Sequence, residues 1–500
     1  MHLKTTIAAV ALVTGCVSAW ASAAEPSSDQ LMQEMQALRA EVAELRAQQG
    51  ESWMSERRAQ EIKTLVHEVL ADAETRASLL DSAVTAGWDG ERFFLADEGG
   101  MFLFVPQFQF QMRYIYNDTE YEDEDDDVFD DTESGFQLRR VEFGAYGHAW
   151  DPSFKYDFRL SIVGHDYTRL LENGAANLGG LDVVSGDVYL DRAIVSYEFD
   201  NGVWIEMQGV GHGAFGREER VDSQYQLAAE RSAVNEWFGT DKVQGMLVGW
   251  KNEMFSVEVM LNDGYQGYVN DFHLDTVDYG ISARAEWLAA GSREQFEDMS
   301  SWAGDEMGLL IGAGLHYEEI KDATMELLAP DSEGDLFLWT VDGSFEYQGA
   351  SVFLSFSGMH PELEAGGTDL ELDGTYGMVL QGAYNIDDKF EPFVRWEHIW
   401  RDDLDGAAPG AGGVIGALGV AGVNGYANLA NLYGYEDDLD IITLGFNYYL
   451  TKHNSKFTFD VMFVTDRMFV SEPGLGLRSN SFDEDDDSQI AVRAQYQFAF

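Results

Sequence analysis

The ionisable residues of this chain recur at every second position inside otherwise apolar runs. Lys155, Asp157 and Arg159 alternate with Phe154, Tyr156, Phe158 and Leu160. Arg140 and Glu142, Glu206 and Gln208, Arg284 and Glu286, and Arg395 and Glu397 repeat the spacing, while Arg113, Glu258, Asp460 and Arg493 stand singly in similar runs. A period of two puts successive side chains on opposite faces of a β-strand, so each run is charged on one face and apolar on the other. Facing lipid, an Arg or Lys would cost about 2–4 kcal/mol at the bilayer midplane. These charges must therefore line an interior, either as a solvated pore lining or as a salt-bridged plug. About sixteen strands make a barrel too wide for side chains alone to fill, which favours the solvated lining. Such charges solvate and steer ions; they do not make or break bonds. Bond-making would need a constellation, and the chain has no paired-His metal spacing, Gly-x-Ser-x-Gly elbow or phosphate-cradling glycine loop. The expectation is a non-enzyme that uses no cofactor.

The elements that must carry these residues follow from the same alternation. Between Met101 and Phe500 it marks about sixteen strands, the last being Ser488 to Phe500, where Ile490, Val492, Ala494, Tyr496, Phe498 and Phe500 alternate with polar residues. A terminal strand of this kind fits a soluble sandwich as well as a barrel, and the connections discriminate. Tight turns at 150–153, 200–202, 251–252, 348–349, 386–389 and 452–455 alternate with long acidic or Gly-rich loops at 118–134, 165–186, 214–240, 263–275, 361–371, 402–437 and 469–487. Short turns on one side and long loops on the other are the plan of an outer-membrane barrel. The segment 289–305 is long where a short turn is due, which leaves the count open by a pair. The predicted fold is an all-β transmembrane barrel of about sixteen antiparallel strands, preceded by an N-terminal α-helical, coiled-coil segment.

Residues 1–24 read as a secretory signal, with Lys4, an apolar run and a small-residue cleavage region. Val13-Thr14-Gly15-Cys16 also resembles a relaxed lipoprotein site, so lipidation at Cys16 is a second reading; Cys16 is the only cysteine. Over 29–49, Leu31, Met35, Leu38, Val42 and Leu45 form a heptad seam and predict a short coiled coil. A helical segment and linker are expected over 50–100, and the barrel over 101–500. With 31 Lys plus Arg against 89 Asp plus Glu, the net charge of −58 excludes nucleic acid as a partner. The acidic runs 118–133 and 483–487 belong to the first and last long loops, which closure would bring together at one rim. That rim would collect cations, surface-bound divalent ions among them, and repel anions.

Three stretches carry a resemblance. Gly135 to Ile162 (GFQLRRVEFGAYGHAWDPSFKYDFRLSI), Gly209 to Ser232 (GVGHGAFGREERVDSQYQLAAERS) and the aromatic C-terminus resemble the phosphate-selective porin O/P family. The resemblance implies a homotrimeric outer-membrane porin of sixteen strands whose third loop folds inward. It matches Arg139 and Arg140 to the family's paired arginines in the pore lining. It puts Phe215, Arg217, Glu218, Glu230, Arg231 and Ser232 on the constriction loop. Phe500 takes the place of the porin assembly signal. The family's Gly-Gln-Phe-Lys-x-Pro-Phe is here Gly209-Val210-Gly211-His212-Gly213-Ala214-Phe215, without the lysine and proline. The expected function is passive diffusion of ions and small hydrophilic solutes through the outer membrane, with weak cation preference or none. The alternative is an envelope anchor or adhesin tethered to the cell wall by its N-terminal helices.

Overall fold

The computed structural model describes residues 84–90, 92–119, 132–162, 188–267, 277–320, 333–365, 368–369, 372–401, 432–433, 438–466, 468, 472, 474–478 and 488–500. The signal sequence, Cys16, the heptad seam and most of both acidic runs lie outside these residues.

Among the described residues, sixteen strands form a closed antiparallel barrel. They are β1 (Phe102–Thr119), β2 (Thr132–Ala149), β3 (Asp151–Ser161), β4 (Tyr189–Glu198), β5 (Val203–His212), β6 (Lys242–Lys251), β7 (Phe255–Asn262) and β8 (Val277–Ala290). The second half comprises β9 (Gly308–Ile320), β10 (Glu333–Tyr347), β11 (Ala350–Ala365), β12 (Thr375–Tyr384), β13 (Phe390–Trp400), β14 (Leu439–Thr451), β15 (Ser455–Val464) and β16 (Gln489–Ala499). Each pairs with its sequence neighbour, and β16 closes on β1 in a register running from Gln489 opposite Thr119 to Ala499 opposite Gln109. A closed sheet leaves no unpaired edge, which the bilayer demands because it offers no water to satisfy one. Phe500 completes the seam: its N–H and carbonyl each bond Phe108 at 3.0 Å.

Alternate residues sort as the sequence predicts. On β7, Phe255, Val257, Val259 and Leu261 are exposed on the outer wall, while Ser256, Glu258, Met260 and Asn262 are buried inside. Gln348-Gly349 is a two-residue turn with both residues at positive φ (46° and 92°), the mirror-image hairpin geometry that matches strand twist. Two expectations change. The region 87–100, expected as linker, carries a β-hairpin (Val84–Trp88 with Phe93–Asp97) whose Leu95 and Ala96 pair with Phe104 and Leu103. It covers the stretch of β1 that extends past its pairing with β16. The segment after β8 is long without altering the strand count, because it folds inward.

Candidate functional site

Residues 213–241, between β5 and β6, form a loop inside the barrel. It contains one short helix, α1 (Arg217–Arg220), and a second, α2 (Ala233–Phe238). The loop is first bonded to itself. Glu218 accepts from the Ser232 N–H (2.8 Å) and hydroxyl (2.6 Å), and Ser232 caps α2 by accepting from Asn235 N (2.9 Å). Arg231 donates to the carbonyls of Glu218, Glu219 and Val221 at 3.1, 3.2 and 2.7 Å. Glu219 accepts from the N–H groups of Gly216 (3.0 Å) and Asp241 (2.9 Å). Buried polar groups are thereby satisfied within the segment, so it holds one shape.

The wall then grips that shape. Arg284 donates to the Phe215 carbonyl (2.6 Å) while forking onto Asp342 (2.8 and 2.8 Å), and Arg217 donates to Ser344 (2.7 Å). Arg395 donates to the Glu230 carbonyl (2.9 Å), and Glu397 accepts from Ala233 N (2.6 Å). Asp460 accepts from Ala229 N (2.9 Å) and holds Arg493 through two bonds of 2.7 and 2.9 Å. At Gly314 of β9 a Cβ would lie 2.8 Å from the Phe215 carbonyl oxygen. Gly314→Val is therefore expected to lift the loop from the wall, read as a changed single-channel conductance in a barrel that still folds.

The loop's side-chain anchor is Glu230. Arg139 reaches its carboxylate at 2.6 Å, Arg140 at 2.5 Å and Arg113 at 4.0 Å. Arg113 also bonds Gln137 (2.7 Å) and the Gly474 carbonyl (2.5 Å). Burial alone would raise the Glu230 carboxyl, but these guanidiniums overcome it and hold it well below the usual range.

The lumen has two characters. Against β10–β16 the loop packs its Leu227, Val234, Trp237 and Phe238 onto inward Leu336, Leu338, Met359, Val379, Ile399 and Ile441 in one apolar cluster. Along β3–β8 the inner wall is polar, with some charges buried and others, such as Asp157, Arg220 and Arg293, partly exposed. There Arg159 meets Glu142 (3.3 Å) and Asp222 (3.2 Å), Glu206 bonds Gln208 (2.5 Å), and Arg284 bonds Glu286 (2.9 Å). Lys155 lies at the short-turn rim, exposed and paired with Glu198. The solvated lining expected of all these charges thus needs correction. Arg113, Glu142, Arg159, Arg284, Arg395, Glu397 and Arg493 are buried in ion pairs, because three inward segments take the space water would fill. The first is 213–241. The second is 474–478, whose Leu475 carbonyl accepts from Arg493 (2.9 Å).

The third, 291–307, enters from the short-turn side. Met299 N bonds the Tyr225 carbonyl (3.2 Å), Ser300 bonds Glu391 (3.1 Å), and Asp298 meets His453 (3.3 Å). Trp302 packs edge-on to Tyr449 at 5.0 Å. Its unexpected length was the sequence signal for this fold-back. The apolar inner half had a signal too: runs such as Leu336-Phe337-Leu338-Trp339, apolar on both faces of one strand.

Burial lifts the Glu219 carboxyl to about 7, against the N–H bond from Asp241, and lifts the Glu236 carboxyl to about 8, where the Asp241 charge adds to it. Both folded values exceed the ordinary glutamate value near 4.3. Their contribution to loop stability is complete below that ordinary value and lost as pH rises through about 7–8. Raising pH from about 6 to 9 is expected to loosen the loop. Current noise and protease cutting within 213–241 should both increase; a flat profile would show that the loop does not sense these groups.

The sequence model of the phosphate-selective porin O and P family matches residues 107–500, the whole barrel apart from the first residues of β1. The chain belongs to that family. It is accordingly an outer-membrane channel. Among solved structures, an anion-selective porin from Comamonas acidovorans is similar at 13% identity, covering 79% of this chain and 99% of its own, with a TM-score of 0.49. OmpF of Salmonella typhi in complex with daunomycin is similar at 10% identity, 83% and 100% coverage and a TM-score of 0.47. The outer-membrane channel DcaP of Acinetobacter baumannii follows at 11% identity, 79% and 97% coverage and a TM-score of 0.44. No curated protein matches the sequence.

Proposed function

We propose that this porin passes small hydrophilic solutes and ions by passive diffusion, with weak cation preference or none. The observation carrying this reading is that Glu230 occupies the paired arginines, so the cationic cluster facing the lumen already holds an anion of its own. Net charge supports the same sign: 89 acidic against 31 basic residues, with acidic runs flanking the barrel seam. Screening over about 8 Å limits that field in physiological salt, which is why the preference is weak. The lining acts by solvation and steering, without turnover of its solutes. We further propose a homotrimer, supported by the family and by the heptad seam Leu31, Met35, Leu38, Val42 and Leu45.

Planar-bilayer recording tests the channel. Stepwise conductance with a reversal potential near zero, or slightly toward the cation side, is the expected result in a KCl gradient. A strong anion preference would refute the selectivity, and folded protein without conductance steps would refute the channel.

A further inference from the structure

The partly exposed ion pairs inside the barrel run along one side and come in a repeating form. On the β10–β16 side the pairs Arg395–Glu397 and Arg493–Asp460 are sealed behind the loop. On the β3–β8 side four ion pairs each keep part of their surface wet, and they succeed one another from end to end of the wall. At the long-loop end, Lys242 of β6 meets Asp191 of β4 at 3.4 Å. Next, Arg192 of β4 holds Asp157 of β3 (3.1 Å) and Asp222 of the loop, with Asp157 26% exposed. Then Arg220 of the loop, 30% exposed, meets Glu258 of β7 at 2.8 Å. At the short-turn end Arg293, 29% exposed, meets Glu286 of β8 at 3.0 Å. Each rung presents both signs in contact, and two of the four join loop to wall.

We infer that this ladder conducts zwitterionic solutes, those carrying an ammonium and a carboxylate on one small frame such as free amino acids. The inference rests on the channel reading above. A solute moving along the wall must part each pair to pass it. Parting an ion pair in a confined site leaves two charges without partners, and the loss is severe when only one is compensated. A neutral polyol compensates neither charge. A simple anion satisfies the base and leaves the acid exposed, and a cation does the reverse. A zwitterion satisfies both at once, with its carboxylate on Arg220 and its ammonium on Glu258, and can then hand over to the next rung. Its net charge is zero, so the chain's net charge of −58 does not turn it away.

Liposome swelling with the purified full chain tests this, using L-serine as the zwitterion, erythritol as the neutral solute and L-lactate as the anion. Serine is expected to enter about threefold faster than erythritol or lactate, the scale of a partly solvated ion pair. In Arg220→Gln/Glu258→Gln the serine-to-erythritol ratio should fall towards one. Arg293→Gln/Glu286→Gln, at the far end of the ladder, gives the same readout should the first variant fail to fold. Equal entry of serine and erythritol in the native protein, or an unchanged ratio in a folded double variant, overturns the inference and leaves the channel intact. Entry of no solute at all removes the channel itself.

Discussion

Glu230→Gln is expected to turn the channel towards anions. The native carboxylate sits among Arg113, Arg139 and Arg140, and its loss leaves three guanidiniums facing the inward loop without the charge that holds them together. In a KCl gradient the reversal potential should move to the anion side, and chloride conductance should rise. Stability should fall as well, by about 3–5 kcal/mol, because one partner of a buried ion cluster has been removed. Arg139→Gln supplies the opposite sign: one cation fewer around an intact carboxylate, and a shift toward cations. The native cluster should survive moderate acid. Its carboxyl lies below the usual range when folded, so its contribution is present above the unfolded value and disappears only as pH falls through the depressed one. An unmoved reversal potential in folded Glu230→Gln would mean that ions take a route that does not sense this cluster.

Deletion of Phe500 should damage assembly far more than conductance. The residue contributes two backbone bonds of 3.0 Å to Phe108, and its ring lies 5.6 Å from the Phe108 ring and 6.0 Å from that of Phe498. Losing both bonds costs roughly 2 kcal/mol, about a 30-fold change in the balance between closed and open barrel. Phe500 is 48% exposed at the barrel seam, where it bonds β1 rather than the inward loop. Folded protein, read as the heat-modifiable band in detergent gels, should fall sharply, while the few channels that do insert keep native conductance. Normal assembly of the deleted chain would show that the seam closes without its last residue.

Much of this architecture was legible because a barrel wall obeys one simple period. Alternation set which face of each strand meets lipid, and Asn201-Gly202 and Gln348-Gly349 set where strands reverse. What lies inside the wall was less legible. Glu230 and Arg139 are 91 positions apart, and nothing near Glu230 states that three arginines will meet there. The resemblance identified the loop; only the fold supplied its partners. Solvation escapes the sequence for the same reason. Arg493 on an inward face is as compatible with water as with Asp460, and the choice depends on segments arriving from elsewhere. The 291–307 segment shows the remaining gap: its length was visible, but not the direction in which it would turn.

The two-sided character of the lumen bears on how such a pore could be engineered. Trimming the constriction loop is an obvious way to enlarge a porin. Here the loop is also the cover of an apolar patch, with Leu336, Leu338, Met359, Val379 and Ile441 beneath Trp237 and Phe238, and of the charges set around it. Stripped of it, that wall would meet water with its apolar patch and also with Arg395, Glu397 and Asp460, each of which would lose its bond to the loop backbone. The shortened protein would have a larger bore with freshly hydrated charges on that flank, so widening the hole would also rewrite its ionic preference.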